Sequence, residues 1–205
     1  MNLKDIKAFV IHLKKRTDRR KLFEKELKGF KKNYEVFDAI KRHNGYEGTS
    51  ESFKSIIRHC KENDIKQVLI FEDDVKICSS KSKDKFQECI NSLPEDWDIL
   101  LGGVYSLLNM GNLKNKVGEH LLKIDDFSSL HCTLINHTAY DKLLKHDYKK
   151  KFKHLDRYLG NLSKNKELNV YLAYPMVAIQ HDGYSDNAKT VTNYSRLLER
   201  FKLLK

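Results

Sequence analysis

Residues 67–75, QVLIFEDDV, decide the fold. Four aliphatic or aromatic residues in a row, Val68, Leu69, Ile70 and Phe71, read as a strand buried on both faces, as in the middle of a parallel sheet. Glu72, Asp73 and Asp74 cannot share that burial without partners or water, so the strand is expected to emerge at Glu72 into a polar cleft. Ligands of open α/β sheets bind at that carboxyl end. If the extended geometry persists, Glu72 and Asp74 point one way and Asp73 the other. Paired hard oxygen ligands suit Mn²⁺ or Mg²⁺ carrying a diphosphate.

Working outward from this strand, the chain alternates strands and helices. Residues 8–13 form an apolar run broken only by His12. Thr17 is expected to cap a helix carrying Phe23, Leu27 and Phe30 at helical spacing. The basic loop between them, residues 14–20, lies at a strand's carboxyl end, a good place for phosphate contacts. A short strand over residues 34–40 precedes the turn-rich His43-Asn44-Gly45. A helix opening at Ser50 or Ser52 follows, with Phe53, Ile56, Ile57 and Cys60 on one face. This order is the signature of a doubly wound sheet.

Beyond the acids, residues 84–93 read as a helix and residues 97–103 as a buried strand ending in Gly102 and Gly103, where a ligand could approach the backbone closely. Residues 104–119 have no clear period and read as a loop over the cleft. A strand over residues 131–135, a helix from Thr138 and a helix bearing Leu155, Leu159 and Leu162 follow, the last carrying Asp156 and Arg157. One or two strands over residues 170–179 end in a second polar cluster, residues 180–187. Within it His181 is expected to approach the cation or the diphosphate, with Gly183 turning the chain inward. An amphipathic helix is expected over about 192–204.

At 205 residues without a Pro/Gly/Ser-rich linker, the chain reads as a single domain over residues 1–205. Its 39 basic and 28 acidic residues, net +11, favour anionic partners, and peripheral contact with anionic surfaces is compatible with that balance. No zinc-finger, helix-turn-helix or aromatic-basic RNA motif accompanies the charge, so no specific nucleic-acid partner is expected. The four cysteines are too dispersed for a metal knuckle and are expected to be reduced. Without a leader pattern at residues 1–5, or an apolar run near the roughly 18 residues of a membrane span, a cytoplasmic protein is expected.

The ordered pieces VIHLKKRTDRR, GTSESF, VLIFEDDV, DWDILLGG, the Tyr140 helix, HLDRYLG and YPMVAIQHDGYSD resemble glycosyltransferase family 25, which contains lipopolysaccharide glycosyltransferases and collagen galactosyltransferases. The resemblance spans residues 8–187. It implies a GT-A type, Rossmann-like nucleotide-sugar domain with a mostly parallel sheet. It also implies inverting transfer of galactose or glucose from a UDP-sugar to a glycan, lipopolysaccharide or protein acceptor. Under it, Glu72-Asp73-Asp74 matches the DxD-type element, with Asp74 the metal ligand and Glu72 or Asp73 facing the nucleotide. Leu13, Arg16 and Arg19 match the opening motif on the nucleotide side. Asp156 matches a later acid, here expected as general base, and Ser185-Asp186 matches the closing motif. His12 departs from the family pattern, which usually has Asn there, as do Phe53 and Asn187. The rival readings are a basic polyanion-binding protein whose acids are structural, and a catalytically inactive nucleotide-binding relative.

Overall fold

The computed structural model describes residues 1–107, 109, 114–185 and 189–194. An eight-stranded sheet runs through the molecule in the order β2-β1-β3-β10-β5-β11-β8-β7. These strands are β1 (Lys7–His12), β2 (Glu35–Asp38), β3 (Gln67–Glu72), β5 (Ile99–Leu101), β7 (Lys116–Val117), β8 (Leu121–Lys123), β10 (Cys132–Asn136) and β11 (Val170–Ala173). β1 pairs in parallel with both β2 and β3, and β11 with β5. β10 lies antiparallel between β3 and β5. A parallel neighbour needs a crossover, usually a helix. The segment leading from β5 to β10 supplies only short strands among its described residues: β6 (Ser106–Leu107), β7, β8 and β9 (Phe127–Ser128).

Among the described residues five α-helices cover the two faces: α1 (Thr17–Phe30), α2 (Gly45–Glu62), α3 (Ser82–Asn91), α4 (Tyr140–Leu144) and α5 (Leu155–Lys164). Strand alternation sorts the core between them. Phe9, Ile11, Val68 and Ile70 pack with Phe53, Ile56 and Ile57 of α2 and with Leu155 and Leu159 of α5. Ala8, Val10, Leu69 and Phe71 pack on the opposite face with Phe23, Leu27 and Phe30 of α1 and with Phe86 of α3. Fully burying each of these large side chains contributes roughly 1.5–3 kcal/mol.

The sequence places most helices well, but α2 begins at Gly45, five residues before Ser50. The reason is local. A Cβ at Gly48 would lie 2.5 Å from the Ile40 carbonyl oxygen, so this glycine lets the helix start against the chain leaving β2. β4 (Val75–Ile77) leaves the acids at once and pairs antiparallel with β12 (Ala178–Gln180), while β13 (Gly183–Ser185) and β14 (Thr190–Thr192) form a small hairpin. Thr192, expected to cap a final helix, therefore ends a strand; residues 195–205 of that expected helix lie outside the described residues. Part of the expected loop at 104–119 is strand, at β6 and β7. No helix among the described residues is long and apolar enough to cross a membrane.

Candidate active site

A cleft of about 760 Å³ opens at the carboxyl ends of β1, β2 and β3. Its floor is made by Glu72, Asp73 and Asp74, its far wall by Ser129, Asp156 and Gln180, and its rim includes Leu13, Arg19 and Ser185. The extended geometry stops at Glu72, so the strict alternation expected from the sequence does not persist. Glu72 continues the row of Val68 and Ile70 toward α2 and α5. Asp73 and Asp74 instead turn together toward α1, where one guanidinium serves both: Arg19 Nη1 lies 2.6 Å from Asp73 Oδ1 and 3.4 Å from Asp74 Oδ2.

Asp73 is the most heavily partnered of the three. Besides Arg19, its Oδ2 is 2.9 Å from His12 Nδ1 and accepts the Leu13 N–H at 3.4 Å. The departure at His12 thus has a definite role: it ties the end of β1 to the acidic turn. The loop after β1 contributes unequally, since Arg16 folds back on Asp18 with contacts at 3.0 and 2.8 Å and does not line the cleft. That pairing holds the Asp18 carboxyl at about 2.

Glu72 and Asp74 carry the unusual electrostatics. Burial, with Asp74, Asp156 and Asp73 close by, pushes the Glu72 carboxyl well above the ordinary carboxylate range. Burial also raises Asp74, against the opposing charge of Arg19. Asp74 Oδ2 accepts from Gln180 Nε2 at 3.3 Å, but its Oδ1 is buried without a hydrogen-bond partner. Buried polar atoms are ordinarily satisfied, so this oxygen is suited to a ligand.

Asp156 stands in the first turn of α5, where the helix end favours a carboxylate. Its Oδ2 accepts the Ser129 N–H at 2.7 Å and its Oδ1 the Arg157 N–H at 2.7 Å, and each oxygen keeps a lone pair. The helix is clamped in place by its neighbours. Arg157 pairs with Asp126 at 2.7 Å, Ser163 Oγ donates to the Ile124 carbonyl at 2.8 Å, and a Cβ at Gly160 would lie 2.9 Å from the Phe127 nitrogen. Asp125 and Asp126, the other acids before β10, do not line the cleft.

Two sequence expectations meet different surroundings. His181 donates its backbone N–H to the Asp74 carbonyl at 2.7 Å, but its imidazole turns away to Glu26 of α1, Nε2 to Oε1 3.2 Å. Adjacent residues of an extended segment face opposite sides, and it is Gln180 that faces the acids. Gly102 and Gly103 do allow a close backbone approach, but the approaching groups are the chain's own. A Cβ at Gly103 would meet the Ala178 carbonyl oxygen at 1.8 Å and one at Gly102 the Cys132 Sγ at 2.5 Å. Neither glycine lines the cleft. Ser185 does, next to Tyr194, and Asp186 lies outside the described residues.

The groups not foreseen are Ser129, His131, Tyr105 and Tyr194. Tyr105 and Tyr194 meet edge to face at 5.1 Å on the cleft wall. His131 is fully buried beside Ser129, and burial drives its imidazole down to about 4.

The α/β sheet is of GT-A type, with a carboxylate turn at the end of a central strand and a further acid across the cleft. Residues 5–57, which include β1, α1, β2 and most of α2, match glycosyltransferase family 25, described as an LPS biosynthesis protein family. Over this N-terminal stretch the chain is glycosyltransferase family 25-like. The fold is similar to that of a glycosyltransferase involved in glycosylating the major capsid of PBCV-1, with a TM-score of 0.53, 10% identity and coverage of 97% of this chain and 98% of that one. It is also similar to a UDP-glucose pyrophosphorylase in complex with UDP-glucose, with a TM-score of 0.52, 8% identity and coverage of 97% and 82%. Curated protein sequences give no match.

Proposed function

We propose that the protein transfers a hexose, galactose or glucose, from a UDP-sugar to an acceptor hydroxyl with inversion and with the help of Mn²⁺ or Mg²⁺. The observation that carries this reading is the placement of Asp74 and Asp156 on one cleft at the end of β3, the first with a buried unpartnered oxygen and the second with both oxygens oriented by backbone N–H groups. Among the described residues no group of three His, Cys, Asp or Glu side chains forms a cation site. That suits a cation that takes most of its ligands from a diphosphate and water, and only one or two carboxylate oxygens from the protein. Asp74 Oδ1 is the protein oxygen available for it, with Glu72 beside it; His181, turned toward Glu26, is not in this set. When bound, the cation would offset the diphosphate charge as the nucleotide leaves.

The chain's own residues supply the rest. Arg19 keeps Asp73 and Asp74 together and, with Leu13 and Ser185, borders the nucleotide side. Asp156 takes the proton from the acceptor hydroxyl as that oxygen attacks the anomeric carbon and the bond to the diphosphate breaks. Inversion in one displacement needs no covalent nucleophile. The family match and a similar fold that holds UDP-glucose support a sugar-nucleotide donor.

The test is a panel of nucleotide sugars with and without Mn²⁺, scored for binding and for slow donor hydrolysis. UDP-galactose or UDP-glucose should bind tightest, and only with the cation. Equal UDP affinity in chelator and in Mn²⁺ would overturn the metal-dependent reading.

A further inference from the structure

Ser129 sits between the two carboxylates on which the proposed reaction depends and touches the support of each. Its N–H donates to Asp156 Oδ2 at 2.7 Å. Its Oγ lies 3.1 Å from Gln180 Oε1 and 2.5 Å from His131 Nδ1, and Gln180 Nε2 reaches Asp74 Oδ2 at 3.3 Å. With Asp74 ionised, the proton assignment that satisfies the contacts from Asp74 through Gln180 and Ser129 to His131 Nδ1 runs in one direction. The Gln180 amide donates to Asp74, the Ser129 hydroxyl donates to Gln180, and a neutral His131 donates Nδ1–H to Ser129. Burial keeps His131 neutral at physiological pH.

The backbone at Ser129 is held where a side chain is rarely found, at φ +95°. Nothing in the local sequence calls for this; a glycine would adopt it without strain. A strained non-glycine residue persists when its surroundings over-determine it, and such residues gather at functional sites. Here glycine would keep the N–H bond to Asp156 but lose the hydroxyl that reaches Gln180.

We infer that Ser129 is a positioning residue that, with Gln180, locks the donor-side carboxylate Asp74 and the acceptor-side carboxylate Asp156 into one hydrogen-bonded unit. This rests on the reading of those two acids given above. The unit fixes the distance between the group that faces the diphosphate and the group that faces the acceptor hydroxyl. Misplacing either reduces the benefit of orientation.

Two measurements test it. The first needs no ligand: hydrogen exchange of the Ser129 amide in the wild type and in Gln180→Ala. Gln180 does not bond that amide, so a purely local bond to Asp156 would leave its exchange unchanged. A locked unit makes it exchange roughly tenfold faster in Gln180→Ala, while core amides such as Leu134 keep their rates. The second is Mn²⁺-dependent UDP affinity in Ser129→Ala, Gln180→Ala and the double variant. Each single change should weaken affinity about fivefold, and the double should be no worse than either, because both cut one chain. Unchanged Ser129 exchange in Gln180→Ala overturns the inference. So does strict additivity in affinity, or a fall in stability with affinity intact. If the wild type binds no UDP at all, the donor reading fails by itself and the exchange experiment still decides the role of Ser129.

Discussion

Arg19 Nη1 lies 2.6 Å from Asp73 Oδ1 and joins α1 to the turn that follows β3. Its Nη2 also donates to the Tyr184 carbonyl at 2.9 Å, so one side chain ties together α1, the acidic turn and the β13–β14 hairpin. Removing the guanidinium leaves a largely buried Asp73 with only His12 and one backbone N–H. Arg19→Ala should therefore lose about 3 kcal/mol of stability. Arg19→Lys should recover less than half of it, because a single ammonium cannot span three acceptors in a planar fork. Urea denaturation at pH 7 measures both.

Asp74 should show the opposite balance between stability and function. Its carboxylate is buried, its pKa is raised by that burial, and one oxygen has no partner. Asp74→Asn removes the charge at nearly constant shape and leaves Arg19 its stronger bond to Asp73. The unfolding midpoint should stay level or rise, while Mn²⁺-dependent UDP affinity is lost. Calorimetric titration of UDP in Mn²⁺ and in chelator, set beside a thermal melt, separates the two effects. A large fall in the midpoint would show that Asp74 is a structural acid.

Asp156→Asn keeps the acceptor of the Ser129 N–H bond and removes basicity. Transfer should fall by roughly 10²–10⁴-fold, the usual worth of a positioned general base. UDP and Mn²⁺ binding should persist, because Asp156 lies across the cleft from Asp74 and Arg19. Single-turnover transfer, with nucleotide affinity measured on the same sample, checks this. Near-normal turnover would remove Asp156 from the base role.

Strand β3 was legible because four apolar residues followed by three acids leave few other physical arrangements. The apolar spacing of Phe23, Leu27 and Phe30, or of Phe53, Ile56 and Ile57, was legible for the same reason, since burial enforces the period. The reversal of β10 was not, because a run such as residues 131–135 carries no direction; only the lack of a clear helical period over residues 104–119 hints at it. In the site, the choice between Gln180 and His181 turned on a single step of register, which a polar cluster does not reveal. Ser129 was invisible for a different reason: its importance comes from a backbone angle of +95° and from partners 27 and 51 residues away.

His131 gives a pH prediction that does not depend on catalysis. The imidazole is fully buried, and desolvation brings its pKa from an ordinary 6.5 to about 4. The unfolded chain therefore binds a proton between these values while the folded chain does not. Where the unfolded state binds more protons, stability rises with pH. The contribution of His131 is complete above about pH 6.5 and drains away as pH falls toward 4. At one pKa unit per 1.36 kcal/mol, the penalty near pH 4.5 is on the order of 2–3 kcal/mol. His131→Asn keeps a donor at the Nδ1 position for Ser129 Oγ but cannot take up a proton. The variant should be less stable than the wild type at pH 7.5, because it leaves space beside Gly103, and should lose less stability than the wild type on going to pH 4.5. Denaturant unfolding of both proteins at the two pH values measures the difference of differences, in which carboxylate titrations common to both cancel. Equal losses would mean that His131 takes up its proton in the folded state at the same pH as in the unfolded chain, and the directed chain from His131 through Ser129 to Gln180 would have to be redrawn.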